Sequence, residues 1–361
     1  MKEAIETLAT FELFKGRDSS QFSIARLGGL TNKNFKVVDG ENKYVLRIPG
    51  EGTEEYINRK AEEAAARISA DVGVNAEVLH FDTSSGVQLT RFIEGATTMN
   101  EEGFKQPGTA GRAALALRDV HRSGKKFTSE FNIFSMMDEY LGILHGKNAW
   151  VPDGYEKVQE EADSVRQALA ANPLETVPCH CDPLAENFLD TGERMYVVDW
   201  EYAGNNDPMW DLGDLSVEAD FGADQDQELL EAYCDGNPSR ENIARMVLYR
   251  AMFDLLWTLW GALQLANDNP AEEFKAYAKP AFADGHGWTY SVVERNWEGD
   301  GNTRWFDEIL FNEKLGHCRG TGVVQLINGE WKIAHYALTM LVPNSIAADV
   351  GSQTQEADAV E

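Results

Sequence analysis

The segment His180-Cys181-Asp182-Pro183-Leu184-Ala185-Glu186-Asn187, followed by a short turn and then Val197-Val198-Asp199-Trp200-Glu201, constrains this chain more than any other feature. It places an acid in a loop, an amide five residues on, and a second acid at the end of an apolar strand. The spacing has a chemical cause. Asp182 can accept the proton of an attacking hydroxyl, and Asn187 and Asp199 can hold Mg2+ against nucleotide phosphates. Oxygen ligands of this kind suit a hard cation. Glu201 adds a further acid for the metal or the substrate, and the run Asp211-Leu212-Gly213-Asp214 follows downstream. The catalytic set read from the motif is His180, Asp182, Asn187 and Asp199, and the metal set is Asn187, Asp199 and Glu201.

Length and charge bound the partners. A chain of 361 residues suggests two or three domains. With 32 basic against 60 acidic residues the formal charge is −28, which argues against an electrostatic nucleic-acid binder. An acidic surface suits steering of a cationic small substrate. Cys179, Cys181, Cys234 and Cys318 form no C-x-x-C pair, and reduced thiols in a cytoplasmic protein fit them best. The first 30 residues lack a basic region followed by an apolar core, and no apolar run reaches about 18 residues, so neither a signal peptide nor a membrane span is expected.

Strand signals come first along the chain. Ile24–Leu27, Asn34–Val38 and Tyr44–Ile48 alternate around Gly28-Gly29 and the tight-turn signal Asp39-Gly40. In the first turn Gly28 and Gly29 let backbone N–H groups approach a phosphate, and Thr31, Asn32 and Asn34 add donors. Arg47 ends the next strand, where a guanidinium can grip phosphates bidentately. A helix over about 53–71 carries Arg59, Glu62 and Glu63; Glu62 is the favoured partner for Arg47, with Glu63 as the alternative. Leu89–Gly95 reads as a hinge where an adenine would meet backbone groups. Helices are expected over about 109–123, 130–145, 154–171, 225–235 and 239–266, with Ser129 or a neighbour capping the second and Pro238-Ser239 opening the last.

Gly28–Phe35, Tyr44–Gly50, the His180-to-Asn187 motif and Asp199-Trp200-Glu201-Tyr202-Ala203-Gly204 together resemble the bacterial choline kinases, within the choline/ethanolamine kinases and aminoglycoside phosphotransferases. The resemblance covers about residues 20 to 280. It implies an α+β, protein-kinase-like two-lobed fold: a small β lobe over 1–95 and a helical lobe with the catalytic loop over 96–280. It also implies ATP and Mg2+ as cofactors, Asp182 as base, Asn187 and Asp199 as metal ligands, Arg47 on phosphates, and Asp211 bracing the catalytic loop. Glu201 would lie beside a second metal or the substrate. A quaternary ammonium cannot donate a hydrogen bond, so its pocket must offer aromatic faces and a carboxylate. Trp257 and Trp260, three apart on an apolar helix, share a face, and Glu201 could supply the charge. Relatives often carry another aromatic after the Glu-Tyr pair. This chain has Asn205-Asn206 there, with Trp210 as the candidate substitute.

Past residue 280 the pattern turns to strands: Trp288–Trp297, Thr303–Asn312, Gly320–Ile327 and Trp331–Leu341, with Asn328-Gly329 as a hairpin signal. Residues 281–348 resemble the second half of a SnoaL-like domain of the NTF2-like superfamily. Such an appended antiparallel sheet needs cover for one face, from the kinase-like part or from a second copy in a homodimer. Asp307, Glu308, Arg319 and His335 are polar groups that such domains can direct inward. Residues 349–361 hold four acids and no base and read as a disordered tail.

The expected activity is phosphorylation of the hydroxyl of a small amino alcohol, choline to phosphocholine. Ethanolamine, thiamine or an aminoglycoside is the alternative acceptor. A binding protein built from the same two parts, with little catalysis, is the alternative of a different class.

Overall fold

Strand alternation in the first ninety residues sorts apolar groups to one face and functional ones to the other. The computed structural model describes residues 2–18, 21–28, 32–50, 57–151, 155–267, 291–298, 302–312, 316–327 and 330–340. After α1 (Lys2–Leu8) come β1 (Ser23–Arg26), β2 (Lys33–Asp39), β3 (Asn42–Ile48), α2 (Arg59–Val72), β4 (Val78–Phe81) and β5 (Gln88–Arg91). The strands form an antiparallel sheet in the order β1-β2-β3-β5-β4. Phe35, Val37, Tyr44, Leu46 and Leu89 bury one face against Ala4, Leu8, Phe11 and Phe14. Period-two geometry therefore sends Asn34, Arg47 and Gln88, which lie in register across β2, β3 and β5, to the opposite face. Asp39 pairs with Asn42, so the two-residue loop is Gly40-Glu41, with Gly40 at φ +61°. The Asp-Gly signal thus marks the hairpin one residue early. Its Asp is the last paired residue.

α2 is capped by Asn58, whose side chain accepts the Ala61 N–H, and ends at Gly73 in the left-handed region. Its Ala65 and Ala66, with Val78 and Phe81 of β4, pack into the large core of the helical region. That region holds β6 (Thr97–Thr98), α3 (Glu101–Phe104), α4 (Thr109–His121), α5 (Ile133–Gly146), α6 (Tyr155–Ala171), β7 (Val177–Cys179), β8 (Phe188–Asp190), β9 (Met195–Val197), β10 (Gly204–Asn206), α7 (Pro208–Glu218), α8 (Ala223–Tyr233) and α9 (Arg240–Ala266). Two small sheets carry the catalytic loop: β6-β8-β9, and β10 paired with β7. Asn132, not Ser129, caps α5 by accepting the Ser135 N–H. Ser239 caps α9 as expected. α7 had not been anticipated as a helix. Asp207 caps it and Pro208 occupies its first turn, an arrangement that needs no N–H at that position.

The chain divides into two compact units, Met1–Phe282 and Ala283–Glu361. In the second, β11 (Ser291–Glu298), β12 (Thr303–Asn312), β13 (Gly316–Ile327) and β14 (Glu330–Met340) pair antiparallel in sequence order. The register shifts between Val292 and Glu294 and between Val323 and Val324. Asn328-Gly329 and the tail 349–361 lie outside the described residues. Among the described residues no helix is long and apolar enough to cross a membrane.

Candidate active site

The catalytic loop leaves β7 at Cys179 and is held by one buried carboxylate. Asp211, on α7 and fully buried, accepts the backbone N–H of His180 at 2.7 Å and of Cys181 at 2.8 Å. His121 Nε2 lies 3.0 Å from the same carboxylate, and Tyr233 Oη lies 3.0 Å from His121 Nδ1. A carboxylate only accepts, so His121 donates through Nε2 and takes the tyrosine hydroxyl on Nδ1. Through these bonds Asp211 holds the loop backbone. It stabilises a backbone in which Cys181 sits at φ +69°, a conformation L residues rarely adopt.

His180 is wholly buried. Its Nε2 lies 2.9 Å from Val198 O, and its Nδ1 accepts the Asp182 N–H at 3.3 Å. Burial pushes its pKa down, against the charge of Asp211. The ring is thus a neutral spacer between loop and strand. Asp182 is itself buried, and Oδ1 has no hydrogen-bond partner among the described residues. Burial pushes its carboxyl well above the usual range, and Glu218, Asp199 and Glu201 add like charge. Asn187 Nδ2 donates to Asp182 O at 3.1 Å, which commits its amide nitrogen and leaves its carbonyl oxygen as the group for a cation.

The side of the site around Asp199 is built from charges. Arg47 pairs with Glu62 and with Asp199, and its Nη1 lies 4.0 Å from Glu201. Glu63 instead pairs with Arg67, which decides between the two helix glutamates. Arg59 joins the network at 2.7 Å from Glu62 and 3.3 Å from Glu201. Asn32 Nδ2 reaches both Asp199 and Glu201 at 3.4 Å. Asn34 Nδ2 donates to Gly28 O at 3.3 Å, tightening the first turn, while Gly29 and Thr31 lie outside the described residues. Glu62, Asp199 and Glu201 bring ligand oxygens within 4.8 Å of one another. Burial and Asp199 raise the Glu201 carboxyl, against Arg47 and Arg59. Asn187, Asp199 and Glu201, the residues expected to hold or flank Mg2+, offer only oxygens, which suit that ion.

On α9, Trp257 and Trp260 are partly buried, with ring centres 5.3 Å apart and planes at 85°. Tyr202, the residue after Glu201, meets Trp257 edge-on at 6.4 Å, and Phe253 meets it at 5.7 Å. Trp210 does not share this setting. It is fully buried, stacked among Phe131, Tyr249 and Phe253, and donates its N–H to Cys181 O at 3.2 Å. Asn205 and Asn206 are buried too, and Asn205 bonds the backbone of Phe127 and Ser129. The hinge after β5 borders a cavity of about 380 Å³ lined by Asn75, Arg91, Phe92, Ile93, Glu94 and Tyr196. Neither Arg47, Arg59, Asp199 nor Glu201 lines it.

Four side chains here had no role assigned from sequence: Arg59, Tyr202, Asp214 and Glu218. Asp214 and Glu218 follow Asp211 at helical spacing, on the face that braces the loop, and that spacing was the available signal.

The sequence pattern of the phosphotransferase enzyme family matches residues 24–249. A solved choline/ethanolamine kinase family protein from Mesorhizobium loti is 52% identical, with TM-score 0.71 over 78% of this chain and 92% of that one. The chain belongs to the choline/ethanolamine kinase branch of that phosphotransferase family. This kinase is also similar to choline kinase LicA from Streptococcus pneumoniae, at 28% identity and TM-score 0.66, covering 78% of this chain and 96% of that one. Protein LicA of Haemophilus influenzae is 28% identical over 282 residues, 74% of this chain and 80% of that one. An aminoglycoside 2'-phosphotransferase in complex with GDP, 16% identical with TM-score 0.57, shares the fold. A small-molecule kinase of this family takes its phosphoryl group from a nucleotide. A second pattern, that of the SnoaL-like domain, matches residues 253–343, starting inside α9.

Proposed function

We propose that this kinase phosphorylates the hydroxyl of choline with ATP. The observation that carries this reading is the half-buried aromatic group Tyr202, Trp257 and Trp260, on the chain beside Glu201. Ring faces at such a position suit a trimethylammonium head. Glu218, which bears on the charge of Asp182, and Glu201 supply the opposing charge. The relatives named as choline kinases support the same acceptor.

Asp182 would accept the hydroxyl proton, in the position fixed by Asp211 and by the neutral His180 ring. Arg47 would release Asp199 and grip the phosphates, under the turn of Gly28, Gly29, Thr31, Asn32 and Asn34. Asn187 and Asp199 would hold Mg2+ with Glu201 beside it; when bound, the ion neutralises charge on the phosphates. Trp210 backs the loop from within the core.

The test is a phosphorylation screen over choline, ethanolamine, thiamine and an aminoglycoside, with Asp182→Asn as the control for the chemical step. Choline should give the highest kcat/KM. A desolvated cation–π contact is worth about 2 kcal/mol, roughly thirtyfold in binding at 1.4 kcal/mol per decade. Trp257→Ala should raise the choline KM by about that factor, and Trp257→Phe should recover more of it than Trp257→Leu. Equal recovery by Leu, or preference for another alcohol, would defeat the choline reading.

A further inference from the structure

The carboxylates Glu62, Asp199 and Glu201 converge with two guanidiniums among them, and the two are not equivalent. Arg47 comes from β3, on the sheet face that also carries Asn34 and Gln88. Arg59 comes from the first turn of α2 and divides itself between Glu62 and Glu201. Its side chain is buried, and it lies across the β4–β5 turn at Gly86. A Cβ at Gly86 would come within 2.5 Å of Arg59 Nε and 2.9 Å of its Cδ and Cζ. That turn is itself locked. Asp82 accepts from the Ser84 N–H and from the hydroxyls of Ser84 and Ser85, and its carbonyl takes the Gly86 N–H at 2.7 Å. The Ser85 and Ser84 hydrogen bonds hold the Asp82 carboxyl down at about 2. Arg59 therefore packs against a hydrogen-bonded turn while it pairs with Glu62 and Glu201.

We propose that Arg59 is a permanent cation occupying the place of a second metal, so that the site takes a single divalent ion per nucleotide. A guanidinium keeps its charge at any accessible pH. With Arg59 packed against Glu201, a dication on that carboxylate would meet a fixed like charge in a buried setting, where repulsion is strong. Arg59 hydrogen-bonds Glu201 directly and acts on Asp199 through charge at longer range, so Asn187 and Asp199 keep the one ion. Glu201 then acts as a carboxylate that positions Arg59 and is not a metal ligand. The inference rests on the metal–nucleotide reading above.

The experiment counts Mn2+ ions bound to the full chain in the presence of a non-hydrolysable ATP analogue, from the loss of the free-ion paramagnetic resonance signal. One ion is expected for the wild type, two for Arg59→Met, and one for Arg59→Lys, which keeps the charge. Arg59→Gln, which retains donors for Glu62, replaces Arg59→Met if thermal melts show the latter unfolded, and two ions are again expected. Two ions in the wild type would overturn the proposal, as would a count of one in the neutral variant that folds. No ion bound to the wild type would remove the metal–nucleotide reading as well.

Discussion

Around Asp182 the chain is held by hydrogen bonds to backbone N–H groups, whereas around Asp199 it is held by charged side chains. Asp211 fixes the loop through two N–H groups and one imidazole, all inside the core. Arg47 and Arg59 hold Glu62, Asp199 and Glu201 mainly through ion pairs, and Asp199 is partly exposed. The first arrangement needs no ligand to be complete, and it presents the base in a preorganised position. The second is a set of charges that cancel one another until phosphates arrive to take a share of them. On the function proposed here, chemistry is anchored by the fold and nucleotide binding is governed by exchange of partners.

The largest effect should come from breaking the backbone brace. Asp211→Asn leaves one loop N–H without a carboxylate acceptor and turns an amide donor toward other donors. Hydrogen bonds to charged groups are worth about 1.5–3 kcal/mol each, so a loss of about 3 kcal/mol is expected. That is a fall in Tm of roughly 6–12 °C for a domain of this size, with turnover lost alongside. A variant with unchanged Tm and no turnover would mean that the loop is not held in this way.

Arg47→Met should separate the two sides. Glu62 retains Arg59, and Asp199 can hydrate, so the Tm should fall less than for Asp211→Asn. The nucleotide KM should rise roughly 10- to 100-fold, the worth of one to two charge-assisted bonds. A melting temperature lowered as far as in Asp211→Asn would erase the distinction between fold-anchored and exchangeable contacts.

The smallest effect sharpens what makes Asp211 a brace. Asp214, one turn further on the same helix, is 1% exposed, and neither carboxyl oxygen has a hydrogen-bond partner among the described residues. Burial pushes its pKa well up, with like charge from Glu218, Asp182 and Asp211. The folded state then binds more protons than the unfolded one, so this group costs stability as pH rises above the unfolded value of about 3.9. Asp214→Asn removes that slope. The variant should melt about 2–4 °C above the wild type at pH 8, on the order of 1 kcal/mol, and gain little at pH values below the unfolded value. Parallel wild-type and variant melting curves against pH would show that burial does not penalise the Asp214 charge.

The motif half of the site was legible because such chemistry calls for fixed residue types at fixed intervals, and Asp182, Asn187, Asp199 and Arg47 follow that pattern. Helix positions on α4, α6 and α9 followed from apolar periodicity and, for α9, from Ser239. What escaped depended on tertiary context. The Asp211–Asp214 run drew attention as acids, although Asp207-Pro208 was a cap-and-first-turn signal for α7. Glu62 was already the favoured partner of Arg47, and the direction of α2 sends the alternative, Glu63, to Arg67 instead. Trp210 looked available for a ligand until the structure enclosed it in three aromatic neighbours. α1 offered too short a pattern to stand out before its partners on the sheet were known.

α9 runs unbroken from Arg240 to Ala266, while one family pattern ends at 249 and the other begins at 253. The kinase likeness does not stop at residue 249, because the solved relative covers 78% of this chain, more than all residues up to the end of α9. The second pattern therefore overlaps a helix that the kinase part already owns. Loss or exchange of the unit that starts at Ala283 would leave Phe253, Trp257 and Trp260 on the same piece of chain as Asp182 and Arg47. Chimaeras between relatives, cut at residue 250 or at residue 283, would travel without or with that aromatic wall.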